Sequence, residues 1–141
     1  MTNRHFFHDY FGTVAEKLSD IDPESLEQAA ALVRRTHRSG NKVILIGNGG
    51  SAAMASHVSV DLTKAAGIRA INFNEADLLT CFANDYGYEN WVAKALEFYA
   101  DSGDLAVLIS SSGASQNMIN GAEQAGVMGL TVISLSGFSP D

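Results

Sequence analysis

Cysteine is almost absent: Cys81 stands alone in 141 residues. One thiol excludes an intrachain disulfide framework and fits a reducing compartment. No apolar stretch approaches the roughly 20 residues of a membrane-spanning helix. The opening Met1-Thr2-Asn3-Arg4-His5 lacks the apolar run of a signal peptide. Positive charge is scarce as well. Lys and Arg number 9 against 16 Asp and Glu, for a formal net charge of -7. That balance disfavours a general nucleic-acid or anionic-membrane surface. It leaves room for a local phosphate site made of backbone N–H groups and serine. Linkers, low-complexity stretches and long repeats are also missing. The expectation is a single soluble, cytoplasmic domain over 1–141, with no membrane partner and no direct nucleic-acid partner. A hydrophobic content of 46% argues against disorder, and the length suffices for a real core.

What is present alternates in period. Apolar residues at helical spacing run from about Phe6 to Leu18. Asp22-Pro23-Glu24-Ser25 is a helix start, with Asp22 as cap and Pro23 in the first turn. Leu26, Ala29, Ala30, Leu32 and Val33 form its expected inner face, and Gly40 closes it. Strands are expected at 43–46, about 68–73, 104–109 and 130–135. Helices are expected at about 51–64, 75–83, 88–100 and 115–127. Residues 1–40 thus form a helical segment and 41–141 an α/β core with a parallel sheet. The sequence ends at Ser136-Gly137-Phe138-Ser139-Pro140-Asp141, directly after a strand, so a last strand–helix unit is expected to be missing.

Two loops read almost alike. Gly47-Asn48-Gly49-Gly50-Ser51-Ala52 follows Val43-Ile44-Leu45-Ile46. Ser110-Ser111-Ser112-Gly113-Ala114-Ser115 follows Leu105-Ala106-Val107-Leu108-Ile109. A buried strand that ends in small, hydroxyl-rich residues and opens a helix makes an anion pocket. The helix N-terminus directs N–H groups and partial positive charge outward, and serine hydroxyls add donors. Two such loops at one sheet edge point to a ligand carrying a phosphate. Gly47-x-Gly49-x-x-Ala52 also matches a dinucleotide fingerprint, with Glu75 as an offered ribose ligand. That reading leaves the serine loop unexplained, so no nucleotide cofactor is expected.

Other residues have bland readings beside sharp ones. His57 and Asp61 are four apart on one helix face, which suits metal ligation or acid–base chemistry, and equally an ordinary ion pair. Asp85, in Asn84-Asp85-Tyr86-Gly87-Tyr88, reads as a helix cap before it reads as catalytic. Trp91, Phe98 and Tyr99 read as core or subunit interface. His5, His8 and His37 read as surface residues.

Taken in order, four separated motifs resemble the sugar isomerase (SIS) family. They are Gly47-Asn48-Gly49-Gly50-Ser51-Ala52-Ala53, His57, Ala83-Asn84-Asp85-Tyr86-Gly87-Tyr88 and Ile109-Ser110-Ser111-Ser112-Gly113-Ala114-Ser115-Gln116-Asn117. The likeness is greatest to the members that interconvert sedoheptulose 7-phosphate and glycero-manno-heptose 7-phosphate. The resemblance implies a three-layer α/β/α sandwich, flavodoxin-like, preceded by N-terminal helices and assembled as a homotetramer. It implies phosphate ligation by Ser51, Ser110, Ser112 and Ser115 beside Gly49 and Gly50, with Asn48 and Ser111 lining the sugar site. Asp85 would contact substrate, and His57 would ligate zinc. The family places a glutamate, both acid/base and metal ligand, where Asp61 stands here. Its glutamine and second acid/base histidine come from a C-terminal helix beyond this sequence. The same resemblance admits a non-catalytic relative that binds the DnaA replication initiator, and a sugar-phosphate sensor.

Overall fold

The computed structural model describes residues 3–138. Met1-Thr2 and Ser139-Pro140-Asp141, named above for the chain's two ends, lie outside the described residues. The elements run α1 (Asn3–Ser19), α2 (Pro23–Arg38), β1 (Val43–Gly47), α3 (Gly50–Lys64), β2 (Ala70–Asn72), α4 (Ala76–Tyr86), α5 (Trp91–Tyr99), β3 (Leu105–Ile109), α6 (Gln116–Val127) and β4 (Thr131–Leu135). The chain divides into two compact units, one up to Ala30 and one from Ala31 onward.

In the first unit, Asp22 caps α2 as its position predicts. Its carboxylate accepts the N–H groups of Glu24 and Ser25, both at 3.1 Å, and the Ser25 hydroxyl at 2.7 Å. These bonds, the Ser25 hydroxyl foremost, hold its pKa below the usual carboxylate value. Leu26, expected on the inner face, is exposed. On α1, Phe6, Phe7, Tyr10 and Phe11 are all more than half exposed. They contact one another: Phe6 stacks on Tyr10 and Phe7 on Phe11, one helical turn apart.

The second unit is a four-stranded parallel sheet, ordered β2-β1-β3-β4. Alternation along the strands sends side chains to two faces. Ile44, Ile46, Ala106 and Leu108 pack against Trp91, Val92, Ala95 and Leu96 of α5 and Met118 and Ala125 of α6. Val43, Leu45, Leu105 and Val107 pack against Ala55 of α3, with Leu32 and Val33 of α2 beside them. Both faces of the central strands are therefore covered, which is why β1 and β3 read as continuous apolar runs. Helices α5 and α6 approach closely, because a Cβ on Gly121 would run into the Val92 side chain. Trp91 is in the core as expected, whereas Phe98 and Tyr99 are exposed and touch Phe82 and Phe73.

A buried ion pair ties the N-terminal ends of β1 and β3. Lys42 Nζ lies 2.6 Å from Asp104 and 2.7 Å from Asp101. Asp104, 1% exposed, also accepts the backbone N–H groups of Lys42 and Asp101 at 2.9 and 2.8 Å. Burial alone would raise the Asp104 carboxyl, but these N–H groups and the Lys42 ammonium outweigh it and hold the pKa below its usual value. Burial likewise works against the Lys42 charge, yet its two carboxylate partners raise its pKa above the ordinary one.

Candidate functional site

The site begins at the other end of the same two strands. β1 and β3 pair in parallel, with Gly47 opposite Ile109. The chain leaves β1 for β2 on one side of the sheet and β3 for β4 on the other. A reversal of this kind opens a crevice beyond the strand C-termini. The glycine and serine loops flank it, and their helices depart on opposite faces of the sheet.

Glycine is required in the first loop for two different reasons. A Cβ at Gly47 would come within 2.5 Å of the Ser51 backbone carbon, so only glycine lets the first turn of α3 fold back over the strand end. Gly49 takes φ 55° and ψ -119°, a backbone region open essentially to glycine alone. Beside Gly49 and Gly50 a built Cβ meets nothing within 4 Å, so the outer surface of the loop is open. No side chain caps α3 at Gly49 or α6 at Ser115. In these first turns the Ser51 N–H goes to the Asn48 carbonyl at 3.0 Å and the Met118 N–H to the Ser115 carbonyl at 2.9 Å, while the N–H groups of Gly50 and Gln116 have no acceptor among the described residues and are open to a ligand.

In the serine loop, the buried Ser110 donates its hydroxyl to Ser115 Oγ at 3.2 Å, closing the turn. The Ser112 hydroxyl accepts the Ala114 N–H at 3.2 Å and keeps its own proton for another partner. Ser111 and Ser112 are exposed, and Ser51 and Ser115 are half-buried. The Ser111 carbonyl accepts the Gly137 N–H at 2.9 Å, which ties the loop to the chain beyond β4.

The two loops are joined directly. Asn48 Nδ2 donates to Asn117 Oδ1 at 3.0 Å, and Asn117 Nδ2 donates back to Asn48 Oδ1 at 2.9 Å. Tyr88, from the turn between α4 and α5, donates its hydroxyl to the same Asn48 Oδ1 at 3.1 Å. That turn is held in place by Asn120 of α6, which donates to the Glu89 carbonyl at 2.9 Å and to Asn90 Oδ1 at 3.0 Å. Tyr88, Asn117 and Asn120 were not among the site residues expected from sequence. The only signals for them were that Tyr88 and Asn117 sit inside two of the quoted motifs and that Asn117 and Asn120 share a helix face.

Asp85 is not a helix cap. It lies inside the last turn of α4, and the N-cap of α5 is Asn90. Its carboxylate is exposed, accepting from Asn84 Nδ2 at 2.9 Å and from the Cys81 thiol at 3.7 Å. The Asp85 charge pushes the Cys81 thiol pKa up. His57 Nε2 and Asp61 Oδ2 are 3.4 Å apart on the exposed face of α3. At about 1.5 Å of rise per residue, they stand roughly 9 and 15 Å along the helix from Ser51. They are therefore separate from the glycine and serine loops. As donors, an imidazole nitrogen and a carboxylate oxygen suit zinc, which takes three or four protein ligands. Among the described residues no group of three or more His, Cys, Asp or Glu converges, so by itself the pair falls short of such a set.

A three-layer α/β sandwich with glycine-rich and serine-rich loops opening helices at its switch point has the architecture of an anion-binding class of α/β domain. Residues 7–137 match the SIS domain family, and the chain belongs to that family. Among its relatives are the phosphoheptose isomerase of Aliarcobacter butzleri (strain RM4018), 37% identical over 131 residues, and that of Campylobacter concisus (strain 13826), 40% identical over 121 residues. These matches cover 89% and 80% of this chain, which spans 69% and 63% of those relatives' lengths. Among solved structures, phosphoheptose isomerase GmhA from Neisseria gonorrhoeae superposes with a TM-score of 0.88 at 29% identity, covering 96% of this chain and 75% of that one. A phosphoheptose isomerase from Francisella tularensis gives 0.90 at 27% identity, covering 99% and 78%. Among the described residues no helix is long and apolar enough to cross a membrane.

Proposed function

We propose that this chain binds a sugar phosphate and carries the larger part of a phosphosugar isomerase site acting on sedoheptulose 7-phosphate. The observation that carries the reading is the joining of two uncapped helix N-termini by the Asn48–Asn117 amide pair at adjacent strand ends. Phosphate ligation is assigned to the N–H groups at Gly49 and Gly50 and to the hydroxyls of Ser51, Ser110, Ser112 and Ser115, the Ser51 N–H being donated to the Asn48 carbonyl. Asn48 and Ser111 line the sugar. A seven-carbon sugar separates its phosphate from the carbons that react.

Aldose–ketose isomerisation moves a proton between C1 and C2 through an enediolate. Asp61 is assigned to take that proton, and Asp85 to contact the substrate. His57 and Asp61 are also the residues assigned to zinc, which when bound supplies polarisation of a substrate oxygen. The exposed aromatic stripe of α1 is assigned to contact with further copies of the chain, in a tetramer. The exposed free thiol of Cys81 fits a reducing cytoplasm.

Titration calorimetry with sedoheptulose 7-phosphate tests the reading. Ser112→Ala is expected to weaken binding by roughly 1–3 kcal/mol, because the phosphate is left one donor short. Unchanged affinity in that variant removes Ser112 as a ligand, and no binding by the parent chain removes the phosphosugar reading itself.

A further inference from the structure

The Asn48 side chain is hydrogen-bonded in an uneven way. An amide oxygen has two lone pairs and an amide nitrogen two protons. Asn48 Oδ1 receives both Tyr88 Oη–H and Asn117 Nδ2–H, at 3.1 and 2.9 Å, so its accepting capacity is filled. Asn48 Nδ2 donates one proton to Asn117 Oδ1. Its other proton has no partner among the described residues. Asn117 is 2% exposed and fixed at the start of α6, so it sets the plane of the pair. Tyr88 reaches over from a turn that Asn120 anchors on two atoms.

We propose that Tyr88 and Asn117 are positioning residues: by occupying the Asn48 carbonyl oxygen they hold its remaining N–H as a fixed donor to an oxygen of the sugar. The site at Asn48 would then select a hydrogen-bond acceptor, the carbonyl or enediolate oxygen of the reacting end or a ring hydroxyl turned to accept. A donor set in place beforehand costs no reorganisation when negative charge develops on that oxygen. The inference rests on the phosphosugar reading above and adds two residues that act through Asn48 rather than on the ligand.

The test separates sugar recognition from phosphate recognition. Affinities for sedoheptulose 7-phosphate and for inorganic phosphate are measured in the parent chain, Tyr88→Phe and Asn117→Asp. Tyr88 is half exposed, so removing its hydroxyl leaves packing intact. Asn117→Asp keeps the shape and still accepts from Asn48, but it has no proton to give back. Both variants are expected to bind the sugar phosphate about three- to tenfold more weakly, the worth of one hydrogen bond. Inorganic phosphate affinity should stay within about twofold of the parent. If the two ligands weaken in parallel, the residues merely brace the loops and the proposal is overturned. Unchanged sugar-phosphate affinity in Tyr88→Phe overturns it as well, and that variant decides alone if Asn117→Asp does not fold. A parent that fails to bind the sugar phosphate overturns the phosphosugar reading and this inference with it. A parent that binds both ligands, with variants that match it, overturns this inference only.

Discussion

Gly49 and Gly50 are adjacent, both face open space, and should respond to alanine in opposite ways. At Gly49 the obstacle is the backbone alone. With φ 55° and ψ -119°, a Cβ must be carried in a region that costs on the order of 1–3 kcal/mol for a residue with a side chain. Nothing within 4 Å would clash with the new methyl, so the penalty has no packing component. For a domain of this size each kcal/mol lowers the melting temperature by about 3 °C, which puts Gly49→Ala roughly 3–10 °C below the parent. Gly50 opens α3 without a positive φ. Alanine there removes unfolded-state freedom and should stabilise by up to about 1 kcal/mol. Its methyl, however, would stand on a residue whose N–H is assigned to the phosphate. Gly50→Ala should therefore melt at or above the parent temperature and lose sugar-phosphate affinity, whereas Gly49→Ala should lose both. Scanning calorimetry and titration of the same three samples read the two effects separately. A Gly49→Ala protein that melts with the parent would refute the loop conformation. Full affinity in Gly50→Ala would refute the placement of the anion.

Three further outcomes follow from the same structure. Asp104→Asn should cost about 3 kcal/mol, near the low end for breaking a buried pair because Asp101 still neutralises Lys42, and lower the melting temperature by roughly 10 °C. Asp104 sits below its ordinary value of 3.8, so its contribution is present above that pH and lost as pH falls through the folded value; Lys42 sits above 10.5, so its share is present below that pH and lost as pH rises through the folded value. Parent and variant melting curves should therefore converge at both extremes, and a constant gap from acid to alkali would contradict the assignment. In a chain extended to the length of its relatives, Asp61→Asn should abolish heptose-phosphate isomerisation, because an amide cannot accept the proton, while Asp61→Glu should match or exceed the parent; an active Asn variant would remove Asp61 as the base. Light scattering at micromolar concentration should report an oligomer that Phe7→Glu with Phe11→Glu disperses, and a monomeric parent would remove the assignment of the α1 aromatic stripe.

The sheet was legible because its central strands are buried on both faces, so 43–46 and 105–109 stand out as unbroken apolar runs with polar or turn residues at their ends. The short β2 was overestimated at its ends, since its residues are only half-buried and the apolar signal spills past Ala70–Asn72 into Ile68 and Phe73. The glycine and serine loops were legible from composition, and Asp22 from its place before Pro23-Glu24. Leu26 was misplaced because helical periodicity marks an apolar face without saying what covers it. Asp85 was read as a cap because the polar run from Asn84 to Tyr88 suggested a turn between helices, whereas α4 continues to Tyr86. The Asn48–Asn117–Tyr88 arrangement was out of reach for a different reason. It joins residues 69 and 40 apart, and no local pattern encodes which side chains meet across a crevice.

The Lys42–Asp104 pair sits at the far end of the strands that present the ligand loops. Five residues of β3, at about 3.3 Å each, put roughly 16 Å between them. That exceeds the roughly 7–10 Å beyond which substitutions with no shared partners usually act additively. The two ends can therefore be altered independently: substitutions at the ion pair set how hard the domain is to unfold, and substitutions at the loops set what it holds. A laboratory wishing to retarget the crevice to a different anion could first strengthen the closed end of the sheet and then spend that margin on loop changes that would otherwise leave the protein too fragile to study.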